Sequence, residues 1–305
     1  MLILFVCVLG DRFSMDRVPE PGEKMVTEAG VLLVGKKLGG GSFGVVFKAH
    51  LVERDLEVAL KFEKPSKQIN FGRIVPRDYT KLSHEYNIMN MMKKTHGFPN
   101  VYAGNFRGKV SYLVMQFVDG KSLSGVKKQF QNRIPTKILV PIAIQILNRL
   151  EKLHARGYLQ YDIHDGNYMV AGTLVYAIDL GMAFRYVDKR TKQHVPYGGS
   201  HLPREMKHSI YCSREDEEGH AVGRRDEIER FLYLMVRLLT RQLPWERYKD
   251  NLAEMARVKR TVGVGDICRG PAAFIAPALD HVFGLEFTQK PNYDFIRSVF
   301  EKRLN

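Results

Sequence analysis

The chain has 305 residues, 45% hydrophobic and 26% charged, with a formal net charge of +14 and three cysteines. That length suits one large two-part domain or two small ones, and the absence of low-complexity tracts and internal repeats excludes a solenoid or a disordered scaffold. Cys7, Cys212 and Cys268 are far apart, odd in number and without metal-ligand spacing, which argues against a disulfide framework or zinc site and for a reducing compartment.

The basic residues are spread along the chain rather than massed in one arm. Two readings of the charge stay open: a field that attracts acidic or phosphorylated proteins, and a solvated surface without a single role; nucleic acid ranks below both. The first nine residues, MLILFVCVL, have the apolar character of a signal-peptide core. They lack a basic leader and a small-residue cleavage site, and they are too short to span a bilayer. Residues 1–27 are therefore read as a poorly ordered N-terminal extension, and the domain proper as 28–305.

Segments 31–38, 45–50 and 56–62 are short, rich in Val, Leu and Phe, and separated by glycines or charged turns, so they read as three successive antiparallel strands. The basic stretch 63–80 reads as a loop. A helix follows, with Leu82, Tyr86, Met89 and Met92 or Lys93 at three- and four-residue spacing. Segments 101–106 and 110–118 form a further hairpin, turning near Arg107-Gly108. Past Gly120 the pattern changes. Residues 136–155 carry Leu139, Ile142, Ala143, Ile146, Leu150 and Leu153, the stripe of a buried helix. Short apolar runs at 168–170 and 174–178 suggest a hairpin, and helical patterns recur at 226–240, 271–284 and 292–304. A β-rich part (28–118) followed by a helical part (119–305) predicts an α+β chain of two lobes.

Gly39-Gly40-Gly41-Ser42-Phe43-Gly44-Val45-Val46 fits G-x-G-x-x-G-x-V between two strands. Glycines there let backbone amides approach phosphate oxygens. A dinucleotide fingerprint would need a helix after the glycines, and here a strand follows. Val58-Ala59-Leu60-Lys61 lies in that next strand and matches V-A-I-K, whose lysine contacts the α- and β-phosphates of ATP. Glu85 falls on the inward face of the following helix, where a carboxylate is costly to bury alone; pairing with Lys61 resolves that cost. Asp162 and Asn167 have the separation of D-x-x-x-x-N, and Asp179-Leu180-Gly181 is close to D-F-G. In that pattern Asp162 orients the substrate hydroxyl and accepts its proton, while Asn167 and Asp179 hold Mg²⁺.

Later motifs narrow the resemblance to the casein kinase 1 group of protein kinases. Ile178–Tyr186 is similar to its I-D-F-G-L-A-K-K-Y, and His194-Val195-Pro196-Tyr197 to its H-I-P-Y. Arg224–Glu229 resembles R-R-D-D-L-E, Leu243-Pro244-Trp245 resembles L-P-W, and Lys290–Tyr293 resembles K-P-D-Y. Val114-Met115-Gln116, Gln242, Lys249-Asp250 and Ser298–Glu301 lean toward its tau-tubulin kinase branch. The resemblance implies a bilobal kinase fold, with a small antiparallel sheet and one main helix in the first lobe and a larger, mainly helical second lobe. It implies a serine/threonine protein kinase using ATP and Mg²⁺. Met115 would be the gatekeeper, with Gln116, Phe117 and Val118 along the adenine. Leu38, Gly39, Gly40, Gly41, Ser42, Phe43, Gly44, Val46, Ala59 and Lys61 would complete the nucleotide site. The expected partner is a protein substrate, acidic or cytoskeletal, met by a monomer without stable membrane insertion in the cytoplasm or nucleus.

The family's H-R-D-I-K-P-D-N is here Gln160-Tyr161-Asp162-Ile163-His164-Asp165-Gly166-Asn167. Tyr161 stands for the arginine that can bind an activation-loop phosphate. His164 stands for the lysine that neutralises the γ-phosphate, and a neutral imidazole supplies a donor without charge. Losing that contact costs about 2–4 kcal/mol in the barrier. Glu227 replaces an aspartate that buttresses the catalytic loop, so that support is either rebuilt or loosened. Ile210 replaces an activation-segment arginine of an anion site, whereas Lys249 matches another basic member of it. Two functions remain open: an active kinase, and a pseudokinase that binds nucleotide or acts as a scaffold. A small-molecule phosphotransferase rests on Asp162-Ile163-His164 alone and conflicts with the C-terminal half.

Overall fold

The computed structural model of the chain describes residues 16–40, 44–63, 80–107, 109–198 and 209–304. Residues 1–15, Gly41, Ser42 and Phe43 of the glycine motif, Gly108, and the basic stretch 64–79 lie outside the described residues. The chain divides between Asp119 and Gly120 into two compact units.

In the first unit, β1 (Lys24–Thr27), β2 (Gly30–Gly40), β3 (Gly44–Leu51), β4 (Leu56–Glu63), β5 (Val101–Asn105) and β6 (Tyr112–Gln116) form one antiparallel sheet, joined by helix α1 (Lys81–Met91). The strand order is β1-β2-β3-β4-β6-β5. Strict alternation explains β4: Val58, Leu60 and Phe62 are fully buried, while Glu57, Lys61 and Glu63 occupy the other face. Phe62 anchors that core, meeting Phe47 edge-on at 6.0 Å and Tyr112 at 6.4 Å between ring centroids. Burying such a ring contributes about 1.5–3 kcal/mol.

The sheet begins earlier than residue 28. Strand β1 pairs Met25 with Leu32, and Met25 is buried. Its four residues are too few to display a period, and the turn into β2 depends on Gly30, whose φ of 129° is open to glycine alone. Helix α1 starts with a capping box between Thr80 and Ser83. The carboxylate of Glu63, at the end of β4, also accepts the N–H groups of Lys81 (3.2 Å) and Leu82 (3.1 Å). A strand carboxylate thus satisfies orphan donors of the helix and sets its register against β4.

The second unit is mainly helical. It contains β7 (Lys121–Ser122), α2 (Leu123–Gln129), α3 (Thr136–Ala155), β8 (Tyr158–Leu159), β9 (Tyr168–Ala171), β10 (Leu174–Ala177) and β11 (Phe184–Arg185). After these come α4 (Arg214–Glu217), α5 (Arg224–Thr240), α6 (Leu252–Thr261), α7 (Val264–Ile267), α8 (Ala276–Phe283) and α9 (Tyr293–Glu301). A 3-10 turn, Gly270–Ile275, leads into α8. The short strands pair as β10-β9-β7 and β11-β8. Helix α3 buries the predicted stripe, Leu139 through Leu153, and packs on α5 and α9. Helix α5 is buried nearly all round, which its Phe231–Val236 and Leu238-Leu239 runs explain. Its first two turns nonetheless bury Asp226, Glu227, Glu229 and Arg230, and such groups need partners. The architecture is α+β, as expected, and among the described residues no helix is long and apolar enough to cross a membrane.

Candidate active site

The predicted site residues fall into two sets, one in each unit. In the first unit the cross-strand register gathers the nucleotide set on one sheet face. Gly39 pairs with Val46, Val46 with Lys61, and Lys61 with Leu113; one step along, Lys48 pairs with Ala59 and Ala59 with Met115. Directly opposed residues share a face, so Val46, Ala59, Lys61 and Met115 lie on one surface beside the glycine strand. Gly44 is required by close approach: a Cβ there would collide with the Phe62 carbonyl oxygen. Leu38 is exposed and Val118 buried. Gln116 is engaged elsewhere, accepting at Oε1 from the Asn100 backbone and side-chain N–H groups at 3.3 Å. Gly41, Ser42 and Phe43 lie outside the described residues.

Lys61 Nζ donates to Glu85 at 3.0 Å to Oε1 and 2.7 Å to Oε2. Glu85 is only 1% exposed. The buried carboxylate is thereby compensated, and the lysine is fixed in direction rather than left to sample rotamers.

In the second unit, Asp162 and Asn167 sit on the loop between β8 and β9, and Asp179 follows β10. Asn167 Nδ2 donates to the Asp162 carbonyl (2.9 Å) and to its Oδ2 (3.1 Å). The two loops are cross-tied. Ile178 N–H donates to the Asn167 carbonyl at 3.0 Å, Gln160 Nε2 reaches the Asp179 carbonyl at 3.5 Å, and the Tyr168 hydroxyl holds Gln160 Oε1 at 3.0 Å. Gly181 N–H donates to Asp179 Oδ1 at 3.0 Å.

His164 Nε2 lies 3.4 Å from Asp162 Oδ2. Burial pushes the Asp162 carboxyl up, but the hydrogen bond and charge of His164, with Asn167 and Arg230, outweigh it and hold the group below its ordinary range. For His164, burial disfavours the charged ring, yet Asp162, Asp165 and Asp179 outweigh it and raise its pKa. An opposing contact comes from Gly166, whose N–H donates to Nδ1 at 3.0 Å and so favours the neutral ring protonated on Nε2.

Glu227 shows the catalytic-loop support rebuilt rather than loosened. Its Oε1 accepts the Tyr161 backbone N–H at 2.5 Å, and its Oε2 meets His154 Nε2 at 2.6 Å. The His154 ring in turn faces the Tyr293 hydroxyl at 2.5 Å from Nδ1. The extra methylene lets one carboxylate serve two donors from different elements.

Sequence reasoning missed a second clamp. Asp165 is buried, forms an ion pair with Lys127 of α2, and accepts from Ser124 Oγ at 3.0 Å, while its own carbonyl accepts Ser124 N–H at 2.9 Å. Helix α2 carries one apolar turn and no clear period, and only the fold places Lys127 beside Asp165. Ile210, in place of a basic residue, accepts the Trp245 indole N–H at its carbonyl (2.8 Å). Lys249 is exposed.

The donor set at Asn167 and Asp179 fits Mg²⁺, which favours hard oxygen ligands and usually shares one or two carboxylates with substrate phosphates. Asn167 spends its amide N–H on Asp162, leaving Oδ1 as the oxygen donor. Among the described residues no group of three or more His, Cys, Asp or Glu is placed to hold a metal. Two such oxygen donors would suit an ion shared with the phosphates of a bound substrate.

Comparison with known proteins agrees with this geometry. The chain is 28% identical over 279 residues to casein kinase I homolog 2 of Schizosaccharomyces pombe, a match covering 88% of this chain and 61% of that protein. The chain thus spans less than two thirds of the length of that curated relative. The family described as protein kinase domain matches residues 32–302, most of the first unit and nearly all of the second, and the chain belongs to that family.

Proposed function

We propose that the chain is an ATP-dependent protein serine/threonine kinase of casein kinase 1 character, transferring the γ-phosphoryl group to protein hydroxyls. The observation that carries this reading is Asp162: a half-exposed carboxylate kept ionised and fixed in direction by Asn167 and His164. A scaffold has no chemical need for that arrangement, whereas a base that orients a hydroxyl does. Lys61, held by Glu85, would bind the α- and β-phosphates, and Asn167 and Asp179 would hold Mg²⁺. When bound, that ion neutralises charge on the phosphate oxygens. His164 supplies a donor near Asp162, where relatives have a lysine.

The net charge of +14 favours acidic protein substrates. The tau-tubulin kinase branch, and with it a cytoskeletal substrate, is supported by the motifs at 114–116, 242, 249–250 and 298–301. Among the described residues Cys212 and Cys268 are buried and outside any disulfide, in keeping with a cytoplasmic or nuclear location.

One observation favours a second reading, a nucleotide-binding pseudokinase. The Gly166 N–H on His164 Nδ1 favours the uncharged ring, against the pull of the nearby aspartates, and a neutral ring would lack the cation that relatives place near the γ-phosphate. Transfer of labelled phosphate from Mg-ATP to casein, with Asp162→Asn as control, separates the two. Transfer by the wild type well above the control supports the kinase. Equal background, with a thermal shift on adding Mg-ATP, supports the pseudokinase.

A further inference from the structure

Tyr161 precedes Asp162 with a φ of 67°. Bulky L-residues rarely occupy that left-handed region, and they do so when surrounding contacts over-determine them. The contacts here are several, and all are internal to the second unit. The Tyr161 hydroxyl donates to Asp216 Oδ2 at 3.0 Å, and the Arg230 guanidinium lies 4.2 Å from the ring centroid. Arg230 Nη1 also donates to the Tyr161 carbonyl at 3.1 Å, and Phe184 meets the ring edge-on at 5.7 Å. The Tyr161 N–H is held by Glu227. Both backbone polar groups, the ring and the hydroxyl are therefore engaged, and the side chain is 3% exposed.

The far end of the clamp is a charge pair. Asp216 and Arg230 are ion-paired and fully or almost fully buried. Cys212 donates from Sγ to Asp216 Oδ2 at 3.1 Å, and Arg230 Nη2 contacts that sulfur at 3.3 Å. Asp216 lies in α4, whose N-cap Ser213 receives the Asp216 N–H at 3.2 Å. The single side chain of Tyr161 thus connects the catalytic loop, the stretch Cys212–Glu217 and helix α5. In the motif this loop resembles, an arginine in place of Tyr161 brings a charge that an added phosphate can neutralise. Here the residue is neutral, and its neighbouring cation, Arg230, is already neutralised by Asp216.

We propose that Tyr161 is a positioning residue: clamped between Asp216 and Arg230, it sets the backbone direction of Asp162 and ties it to the Cys212–Glu217 stretch without any phosphate on the chain. The proposal rests on the kinase reading for its catalytic consequence, though not for the clamp itself.

Two variants and one spectroscopic readout test it. Tyr161→Phe keeps the ring and deletes the hydroxyl. Tyr161→Gly relieves the backbone and deletes the clamp. Amide hydrogen exchange at residues 161–163, read on the whole chain, should quicken about tenfold in Tyr161→Phe and more in Tyr161→Gly. The kcat for phosphate transfer should fall by a similar factor per folded molecule, with the KM for ATP unchanged. Phosphatase treatment of the wild type should leave kcat as it was. Unchanged exchange in both variants overturns the proposal, as does a kcat that follows only the folded fraction or a wild type that loses activity to phosphatase. Should the wild type transfer no phosphate, the kinase reading falls and exchange alone decides the clamp: faster supports it, unchanged overturns it. Should neither variant fold, wild-type exchange decides. Opening of 161–163 together with 212–217 supports the tie, and independent opening overturns it.

Discussion

Lys61 and Glu85 form a two-point ion pair, 2.7 and 3.0 Å from the lysine nitrogen to the two carboxylate oxygens, with the glutamate almost wholly out of solvent. Removing one partner of such a buried pair leaves the other charge uncompensated, whereas replacing both by apolar groups does not. Lys61→Met is expected to lower stability by about 3 kcal/mol and to reduce transfer from ATP by on the order of a hundredfold or more. Lys61→Met with Glu85→Leu should recover most of the stability and none of the transfer. Urea unfolding and the labelled-ATP assay, run on the same preparations, check both halves.

His164 should make transfer pH-dependent. The carboxylates of Asp162, Asp165 and Asp179 raise its pKa above the ordinary histidine value. The imidazolium is therefore present at low pH and lost as pH rises through that raised value. Transfer is expected to decline as pH climbs through that raised value, above the ordinary histidine range, while Asp162, held below its usual range, stays ionised throughout. His164→Lys should abolish the decline and raise kcat at pH 8 by about tenfold or more. A flat profile in the wild type, matched by the lysine variant, would remove the charge from the mechanism.

Glu227 carries two short contacts that a shorter side chain cannot span together. Glu227→Asp should lose either the Tyr161 N–H or the His154 ring, leaving a buried donor unmet at a cost of about 1–3 kcal/mol. The unfolding midpoint in urea and the transfer rate should fall together, because the same carboxylate supports both the fold and the loop that carries Asp162.

Asp226 predicts a pH effect on stability of opposite sense to the common carboxylate. Burial, with Glu229 adding to it, raises its carboxyl to about 7 in the folded chain, although the Gly223 N–H at 2.8 Å works the other way. Between the unfolded value and about 7 the folded state binds the extra proton, so stability falls as pH rises through that window and levels off above it. Asp226→Asn keeps an oxygen for the Gly223 N–H and should flatten the slope. Thermal midpoints at pH 5.5 and pH 8, compared between wild type and variant, measure the difference.

Local order in this chain was legible because its causes are local. Alternation in β4 and the stripe of α3 depend on residues a few positions apart, and they mark Lys61 and frame the loop of Asp162 before any coordinates are drawn. Glu85 was legible for a related reason, since a carboxylate on the apolar face of a helix announces a missing cation. Strand β1 was not, because four residues show no period. The Asp165–Lys127 clamp was also hidden, since its partners are far apart in the chain and Lys127 lies in no motif.

The residues that depart from the family pattern divide along the same line. Their identities at 161, 164 and 227 were plain in the sequence, and so was the chemistry each one removed. What replaced that chemistry was a matter of tertiary structure alone. The carboxylate of Glu227, on α5, reaches two donors only because α3 brings His154 to it and the loop after β8 brings Tyr161. The Tyr161 side chain is held only because Asp216 and Arg230 arrive from elsewhere to close around it. Hydrogen bonds and charge pairs act over about 3 Å, and a sequence does not say which distant groups will come that near.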